Sequence, residues 1–337
     1  MKTRNKPIVI GTTEVKPGER ASVDLPVADL YTSTSLGMPV KVISGRLDGP
    51  VLFVCAAIHG DELNGIEIIR RLLKRKLLRS LRGTLLAVPI VNVHGFLDQS
   101  RYLPDRRDLN RSFPGSSKGS IAARLANTFM KEIVSKADLG IDLHTGAINR
   151  TNLPQIRANL DDDRTLDIAR AFGAPVIVDS NIRDGSLREC AHDRGMPMLV
   201  YEAGEALRFD ETSIRAGIRG ILGVMRHIGM LPAVKNPKAV TPIVARSTQW
   251  VRASTSGIVS GKAKLGSKVT KGQQIATISD PLGEDEESII APFDGIVIGR
   301  TNLPLAHEGD ALFNLSSFAD VPKAADTVET FASVHEA

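Results

Sequence analysis

The chain has 337 residues, of which 42% are hydrophobic and 24% charged, and its net charge at pH 7 is +5. These proportions are typical of a globular protein and exclude a disordered or fibrous chain, and the length suggests two domains. The longest apolar run, Val51 to Ile58, is far shorter than the roughly 20 residues of a membrane helix, and no secretory apolar stretch follows the N-terminus. We therefore expect a cytoplasmic protein with no membrane partner.

Short apolar runs alternate with helical patterns from about Val40 to Val240. The predicted strands are 51–58, 84–92, 139–143, 175–178 and 198–201, and the predicted helices are 65–81, 121–135, 166–172 and 213–228. Pro89 suggests that the second strand is an edge strand or carries a bulge. This alternation predicts an α/β fold with a mostly parallel sheet covered by helices, in a domain of residues 1–235. Residues 1–38 are open to interpretation as an added β segment.

The excess of positive charge is concentrated in the second half of the first predicted helix. The basic residues of this stretch alternate with leucines, and they are Arg70, Arg71, Lys74, Arg75, Lys76, Arg79 and, directly after the helix, Arg82. This pattern favours a solvated helix face, because no helix-turn-helix, finger or RNP motif accompanies it and aromatic residues make up only 4%. We therefore expect no nucleic-acid partner.

A different pattern begins after a Lys- and Pro-bearing stretch, Pro232 to Pro242, which we interpret as a linker. Short apolar segments broken by glycines and without a helical pattern predict a small all-β domain over residues 243–318. The polar residues 319–337 are expected to form a flexible tail.

Residues able to bind a metal follow two of the predicted strands. His59 and Glu62 come directly after the first strand, and His144 ends the strand that carries Asp142. Imidazole and carboxylate are zinc ligands, and three of them leave a fourth position open, as a catalytic site requires. Asp142 can accept a histidine N–H. Each motif alone is a weak signal, but both lie at the same edge of one sheet.

Two further motifs suggest catalysis and substrate binding. Glu202 ends the strand 198–201 and is a candidate base, favoured over Glu205, which starts the next element. The loop from Arg101 to Gly115 contains four arginines and Asn110, and arginine binds carboxylates through two parallel hydrogen bonds.

In chain order, these motifs resemble the zinc carboxypeptidase-type fold and, within it, the succinylglutamate desuccinylase/aspartoacylase family. The matching segments cover roughly Lys41 to Ile228 and are His59-x-x-Glu62, Asp108-Leu-Asn110-Arg111-x-Phe113-Pro114, Asp142-x-His144 and Glu202. The resemblance implies one zinc ion per chain, bound by His59, Glu62 and His144. It implies that Glu202 is the general base.

The resemblance also implies that Asn110 and Arg111 bind the free carboxylate of the substrate. Arg101 matches the arginine that polarises the scissile carbonyl. Arg188 resembles a further substrate-binding arginine, but its spacing to Glu202 is long and we leave it out of the catalytic set.

The predicted β domain resembles a biotinyl/lipoyl-type barrel-sandwich. Such domains carry their cofactor on a lysine at a hairpin tip, and the equivalent stretch here, Ser279 to Ser288, has no lysine. We therefore expect a lid, a substrate-selecting wall or an oligomer contact in place of a cofactor carrier, which leaves a homo-oligomer open.

Together these features predict a zinc-dependent amide hydrolase that releases an acyl group from an N-acyl amino acid or a related small carboxylate. The water that the metal activates would lose its proton to Glu202. Two alternatives remain: a metallocarboxypeptidase acting on short peptides, and a non-catalytic binding protein of the same fold.

Overall fold

The computed structural model describes residues 3–234 and 241–336. Residues 235–240, the greater part of the predicted linker, lie outside the described residues. The strands are β1 Ile8–Ile10, β2 Thr13–Val15, β3 Arg20–Asp29, β4 Ser35–Ser44, β5 Leu47–Ala56, β6 Arg82–Val88, β7 Leu139–Gly146, β8 Arg150–Ala158, β9 Val176–Asp179, β10 Met198–Glu205, β11 Ile243–Ala245, β12 Ser247–Arg252, β13 Gly257–Gly261, β14 Lys268–Val269, β15 Gln274–Ser279, β16 Glu286–Ile290, β17 Gly295–Thr301, β18 Leu305–Ala306 and β19 Ala311–Ser317.

The helices are α1 Asn64–Leu73, α2 Val93–Leu97, α3 Ile121–Glu132, α4 Asp163–Phe172, α5 Leu187–His192, α6 Glu211–His227 and α7 Val321–Glu336. Four of them, α3 to α6, begin after a serine or aspartate whose side chain accepts a backbone N–H of the first turn: Ser120, Asp162, Ser186 and Asp210. These caps satisfy donors that a helix start otherwise leaves unpaired.

Four neighbouring strands form the parallel centre of the main sheet, in the order β10, β7, β5 and β6. Strand β5 is buried on both faces, with Leu52 and Val54 in one hydrophobic core and Phe53 and Cys55 in the other. Helices α1, α4 and α6 cover the first face, and α3 and α5 cover the second. The α/β fold that the sequence predicts is therefore confirmed.

Antiparallel strands extend this centre on both sides, so the complete sheet is mixed. Strands β3 and β4 continue from β6, while β8, β17, β19 and β12 continue from β10. Because β8 pairs with both β10 and β17, the C-terminal β region shares a sheet with the α/β part. Of the other C-terminal strands, β11 pairs with β9 and β14 with β17 in the main sheet, and the remaining four form a separate sheet in the order β16, β15, β13 and β18. The division of the chain at residues 235 and 243 stays a prediction.

The ends of most predicted elements shift by a few residues in the structure, and two elements of the α/β part differ for a clear physical reason. The predicted helix 65–81 is interrupted, because the extended backbone of Arg75 (ψ 122°) separates α1 from a 3-10 turn, Lys76–Ser80, and lets Leu78 enter the core. The second predicted strand ends at Val88 and lies between β4 and β5, so it is neither an edge strand nor extended to residue 92. Pro89 has no N–H to donate, which agrees with the end of the ladder there.

The expectation of a flexible tail at residues 319–337 is wrong. Most of this segment forms helix α7, in which Ala324, Val328 and Phe331 are buried. These three residues recur at helical spacing on one face, and Phe331 reaches the core beneath α6. The surrounding polar residues hide this short apolar stripe in the sequence. No helix in the part of the chain that the structure describes is long and apolar enough to cross a membrane.

Candidate active site

The first predicted motif lies in the tight turn between β5 and α1. Ala57 in this turn has φ 52°, and a Cβ on Gly60 would lie 1.9 Å from the backbone of Gly95, so the turn is closely packed. Such local strain is characteristic of functional sites. The turn places the side chains of His59 and Glu62 at the carboxyl end of β5, where both are buried.

Strand β7 places His144 beside this turn. Because β5 and β7 are parallel, with Cys55 level with Asp142, their carboxyl ends meet at the same edge of the sheet. The buried His144 ring lies 4.9 Å from that of His59, measured between centroids. One ligand atom from each of His59, Glu62 and His144 lies within 4.8 Å of the other two, which defines a candidate metal site.

Both histidines of this cluster contact the carboxylate of Glu62. Nδ1 of His59 lies 2.7 Å from Oε1 of Glu62, and Nδ1 of His144 lies 2.7 Å from Oε2. Burial alone would raise the pKa of Glu62, but the two histidines outweigh it and hold that pKa well below its usual range. An ionised carboxylate and two imidazole nitrogens fit a zinc ion in chemical type.

Acidic residues hold the other nitrogen of each histidine. Nε2 of His144 lies 2.7 Å from Asp142, and Nε2 of His59 lies 3.2 Å from Asp108. In the tautomer that leaves Nδ1 free for a metal, both Nε2 atoms donate to these carboxylates. Asp142 also accepts a hydrogen bond from the fully buried thiol of Cys55 at 3.3 Å. Outer partners of this kind fix the orientation of metal-binding histidines.

The loop that follows α2 contains Arg101, Asn110 and Arg111. Arg101 donates two hydrogen bonds to Asp108, at 2.9 and 3.2 Å, and its Nη1 lies 3.6 Å from Glu62. Burial works against the charge of Asp108, but its bonds to His59 and Arg101 hold its pKa well below the usual range. Arg101 is thus connected to the candidate metal ligands, through Asp108 and by its approach to Glu62.

A second loop anchors Asn110 and Arg111. Oδ1 of Asn110 accepts the backbone N–H of Leu187 at 3.0 Å. Gly185, with φ 70°, packs so closely on the backbone of Arg111 that a Cβ there would lie 2.6 Å from the carbonyl oxygen. The Asn110 amide is therefore oriented with Nδ2 as the group left to donate to a ligand.

Strand β10 places Glu202 directly beside His144, its register partner on β7. Oε2 of Glu202 accepts a hydrogen bond of 2.8 Å from Asn152 on β8, and Oε1 lies 4.0 Å from Nε of Arg157. Glu205 instead accepts bonds from the Asn149 backbone and from Asn302, away from the cavity.

All seven predicted site residues line one cavity of about 250 Å³: His59, Glu62, Arg101, Asn110, Arg111, His144 and Glu202. The cavity has six arginines in its wall, which are Arg101, Arg111, Arg150, Arg157, Arg183 and Arg188. Its acidic lining residues are Glu62, Asp142 and Glu202. The cavity wall therefore carries an excess of positive charge, which favours an anionic ligand.

Three of these arginines form a group with unsatisfied donors. Burial and the charges of Arg157 and Arg183 lower the pKa of Arg188 to about 10. Nη1 of Arg188 and Nε of Arg157 are buried and have no hydrogen-bond partner among the described residues. Buried donors without partners are costly, so this group is arranged for a ligand with acceptor atoms.

Several lining residues have no counterpart among the sequence predictions. They are Arg150, Asn152, Arg157, Arg183 and Trp250. The first three lie on β8, a strand whose Pro154 and polar residues concealed it in the sequence. Arg188, excluded from the catalytic set at the sequence level, also lines the cavity. A signal for Trp250 existed, since it is the only tryptophan of the chain.

Comparison with known proteins identifies relatives of this chain. Residues 48–228, more than half of the chain, match the model of the succinylglutamate desuccinylase/aspartoacylase catalytic domain. An N-alpha-acetyl-L-2,4-diaminobutyric acid deacetylase from Halomonas elongata is 28% identical over 288 residues, covering 82% of this chain and 84% of the relative.

Two solved structures are similar over most of their length. One is a succinylglutamate desuccinylase/aspartoacylase from Rhodobacter sphaeroides, with a TM-score of 0.78, 26% identity, and coverage of 89% of this chain and 96% of that one. The other is the product-bound ectoine utilization protein EutE (DoeB) from Ruegeria pomeroyi, with a TM-score of 0.81, 25% identity, and coverage of 93% and 99%.

Fold and relatives together define an enzyme that hydrolyses amide carbon–nitrogen bonds on a zinc carboxypeptidase-like α/β scaffold. The buried His–Glu–His cluster supplies a candidate metal site within it. The chain belongs to the succinylglutamate desuccinylase/aspartoacylase family.

Proposed function

We propose that this protein is a zinc-dependent deacylase that releases an acyl group from an N-acyl amino acid or a related small carboxylate. The observation that carries the proposal is that the three candidate metal ligands, Glu202 and six arginines line one cavity. The diaminobutyrate deacetylase from Halomonas elongata supports the same reaction type.

His59, Glu62 and His144 would hold one zinc ion per chain. The donor set suits zinc, and Asp108 and Asp142 accept from the histidine nitrogens that point away from the cluster. When bound, zinc polarises the acyl carbonyl and lowers the pKa of water.

Glu202 would take the proton from the attacking water and pass it to the leaving amine. Asn152 occupies Oε2, so Oε1 is the oxygen available for proton transfer. The position of Glu202 supports its role as the base, because the register of β10 and β7 places it level with the candidate ligand His144.

Arg101 would bind the oxygen of the scissile carbonyl. Its Nε and Nη2 are occupied by Asp108, which leaves Nη1, already 3.2 Å from His59 Nδ1, as the group that faces the reaction centre. Negative charge that develops on the carbonyl oxygen would be stabilised by this donor.

Asn110 and Arg111 would bind the free carboxylate of the amino acid. Nδ2 of Asn110 and the guanidinium of Arg111 offer donors from adjacent residues on the cavity wall. Fixing this carboxylate converts binding energy into orientation of the scissile bond.

Cavity size favours this substrate class over peptides. A volume of about 250 Å³ accommodates a small acyl amino acid, whereas a peptide chain would need an extended groove. The test is a screen of zinc-loaded protein against matched acetyl-, succinyl- and formyl-amino acids and blocked peptides. We expect hydrolysis of the small acyl-amino acids, and a preference for the peptides would transfer the assignment to a metallocarboxypeptidase.

A further inference from the structure

Cys55 lies behind the candidate metal site, and the roles proposed above do not use it. It belongs to β5, the strand that leads into the turn with His59, and its side chain is fully buried. Its Sγ lies 3.3 Å from Oδ1 of Asp142 on the neighbouring strand β7. Because Cys55 and Asp142 are register partners, this contact joins the two strands whose carboxyl ends carry the candidate ligands.

The thiol of Cys55 is the donor in this contact. Burial and the neighbouring charge of Asp142 raise the pKa of the thiol well above its usual range, so Sγ keeps its proton. A protonated thiol is a weak donor, and carboxylate oxygens are strong acceptors. The S–H group of Cys55 therefore donates, and Oδ1 of Asp142 accepts.

Asp142 depends on protein donors, because only 1% of its surface is exposed. Oδ2 lies 2.7 Å from Nε2 of His144, while Oδ1 is bound to Cys55. Among the described residues, the Asp142 side chain has no other hydrogen-bond partner. Without the thiol, Oδ1 would be left unpaired beside the apolar core that contains Cys55, which is costly for a buried acceptor. The carboxylate could then also turn about its bond to Cβ.

The other histidine is held in the same way, but by a different kind of donor. Asp108, which lies 3.2 Å from Nε2 of His59, accepts hydrogen bonds from Nε and Nη2 of Arg101. Each candidate histidine ligand thus contacts an aspartate, and each aspartate is bound by a donor of its own. Beside the cavity that donor is a partly exposed guanidinium. In the core it is the small, uncharged thiol of Cys55, which packs with apolar neighbours without burying a second charge.

We propose that Cys55 is a positioning residue for the candidate metal ligand His144 and acts through Asp142. The bond to Oδ1 restricts the rotation of the carboxylate. The carboxylate in turn restricts the ring of His144, whose Nδ1 faces Glu62. This inference rests on the zinc site of the proposed function and deepens it, because it adds a residue that touches neither the metal nor the substrate.

The test compares the zinc affinity of three variants, measured by competition with a chromogenic chelator. Cys55→Ala removes the donor, and we expect the zinc dissociation constant to rise roughly 5- to 10-fold, at or below the lower end of the range for residues that contact a metal ligand directly. Cys55→Ser keeps a donor in the same place and should stay within about twofold of the parent, because a hydroxyl also donates. Cys190→Ala is the matched control, since Cys190 is a buried free cysteine of the same hydrophobic core and is not bound to Asp142.

A spectroscopic measurement separates positioning from a general loss of stability. Cobalt(II) can replace zinc in such sites, and its visible absorption reports the geometry of the ligands. We expect the absorption bands of Cys55→Ala to shift from those of the parent, and the bands of Cys55→Ser and Cys190→Ala to stay. Thermal unfolding of the metal-free proteins measures any loss of stability by itself. Cys55→Val, which fills more of the space but has no donor, repeats the test if Cys55→Ala folds poorly.

The outcomes distinguish this proposal from the deacylase function. Unchanged zinc affinity and an unchanged cobalt spectrum in folded Cys55→Ala would overturn the positioning role, whatever the enzyme hydrolyses. Equal losses of affinity in Cys55→Ser and Cys55→Ala would overturn it as well, because the donor would then have no effect. The expected pattern of affinities without hydrolysis of any acyl-amino acid would retain the positioning role and reject the deacylase. A parent protein that binds neither zinc nor cobalt would reject both.

Discussion

Asn152 on β8 donates a hydrogen bond of 2.8 Å to Oε2 of Glu202 on the adjacent strand β10. This bond occupies Oε2, leaves Oε1 4.0 Å from Nε of Arg157, and restricts the rotation of the carboxylate. The two residues are 50 positions apart in the chain. Asn152 is therefore a positioning residue for the proposed base.

Replacing Asn152 with leucine should lower kcat roughly 10-fold, because the carboxylate of Glu202 then rotates freely, while metal content and KM stay near those of the parent. The magnitude corresponds to the loss of about one hydrogen bond to a charged group. Steady-state kinetics and metal analysis check this. Asn302→Ala is the matched control, since Asn302 bonds to Thr151 and Glu205 but not to Glu202. Equal losses in both variants would show a structural effect only.

Glu202→Gln should retain the fold and the metal but lower kcat by at least ~10²-fold, the usual scale of general acid–base catalysis. Glu205→Gln is the comparison, because Glu205 accepts its hydrogen bonds from Asn149, Thr151 and Asn302. This second variant should affect thermal stability more than turnover. Near-normal turnover in Glu202→Gln would remove Glu202 as the base.

The purified protein should contain about one tightly bound divalent ion per chain, and zinc is expected from the nitrogen and carboxylate donors. Chelation should abolish activity and lower Tm, because a ligand of the native state stabilises it by mass action. His59→Ala should lower the metal content measured by elemental analysis, whereas His227→Ala, on the exposed side of α6, should not. Full occupancy in a protein lacking both His59 and His144 would contradict the site.

Arg111→Ala should slow the hydrolysis of an N-acyl amino acid far more than that of its methyl ester. Truncating one partner of a charge-assisted pair costs roughly 2–5 kcal/mol, and the ester lacks the charge. Rates for matched acid and ester pairs measure the difference. Indifference of the parent enzyme to the free carboxylate would exclude Asn110 and Arg111 as its binding site.

The acid stability of the protein should depend on Glu67 in the first turns of α1. Hydrogen bonds from Arg70 at 2.5 Å and Arg71 at 2.6 Å lower the pKa of Glu67 to about 2. Because this pKa is depressed in the folded state, its contribution to stability is complete above about pH 4.5 and disappears as the pH falls towards 2.

Glu67→Gln should therefore lower the free energy of unfolding at pH 7, while the parent and the variant converge near pH 2. Chemical denaturation across this pH range measures both quantities. A constant difference between the two proteins at every pH would show that the ion pairs are not responsible.

Local sequence determined the parts of this protein that depend on neighbours in the chain. The turn after β5 places His59 and Glu62 three residues apart, and the apolar runs of β5, β7 and β10 predict buried strands whose carboxyl ends meet. Because parallel strands share an edge, the sequence alone assigns His144 and Glu202 to the same site. In the C-terminal region, the glycine-broken pattern likewise predicted strands without an intervening helix between Val251 and Leu315, as the structure has it.

Only the tertiary structure decided which side chains surround that centre. Asp108 meets His59 across 49 residues, and Trp250 stacks on Arg150 from a strand of the C-terminal region. The second of these contacts depends on the spatial order β8, β17, β19 and β12, which no local pattern contains. Burial likewise determines the structure of α7. Its apolar stripe, Ala324, Val328 and Phe331, is short, and it stabilises the helix only by packing into the hydrophobic core. In proteins most of the stability of a helix comes from packing its apolar face, so packing is the physical reason that the segment is ordered.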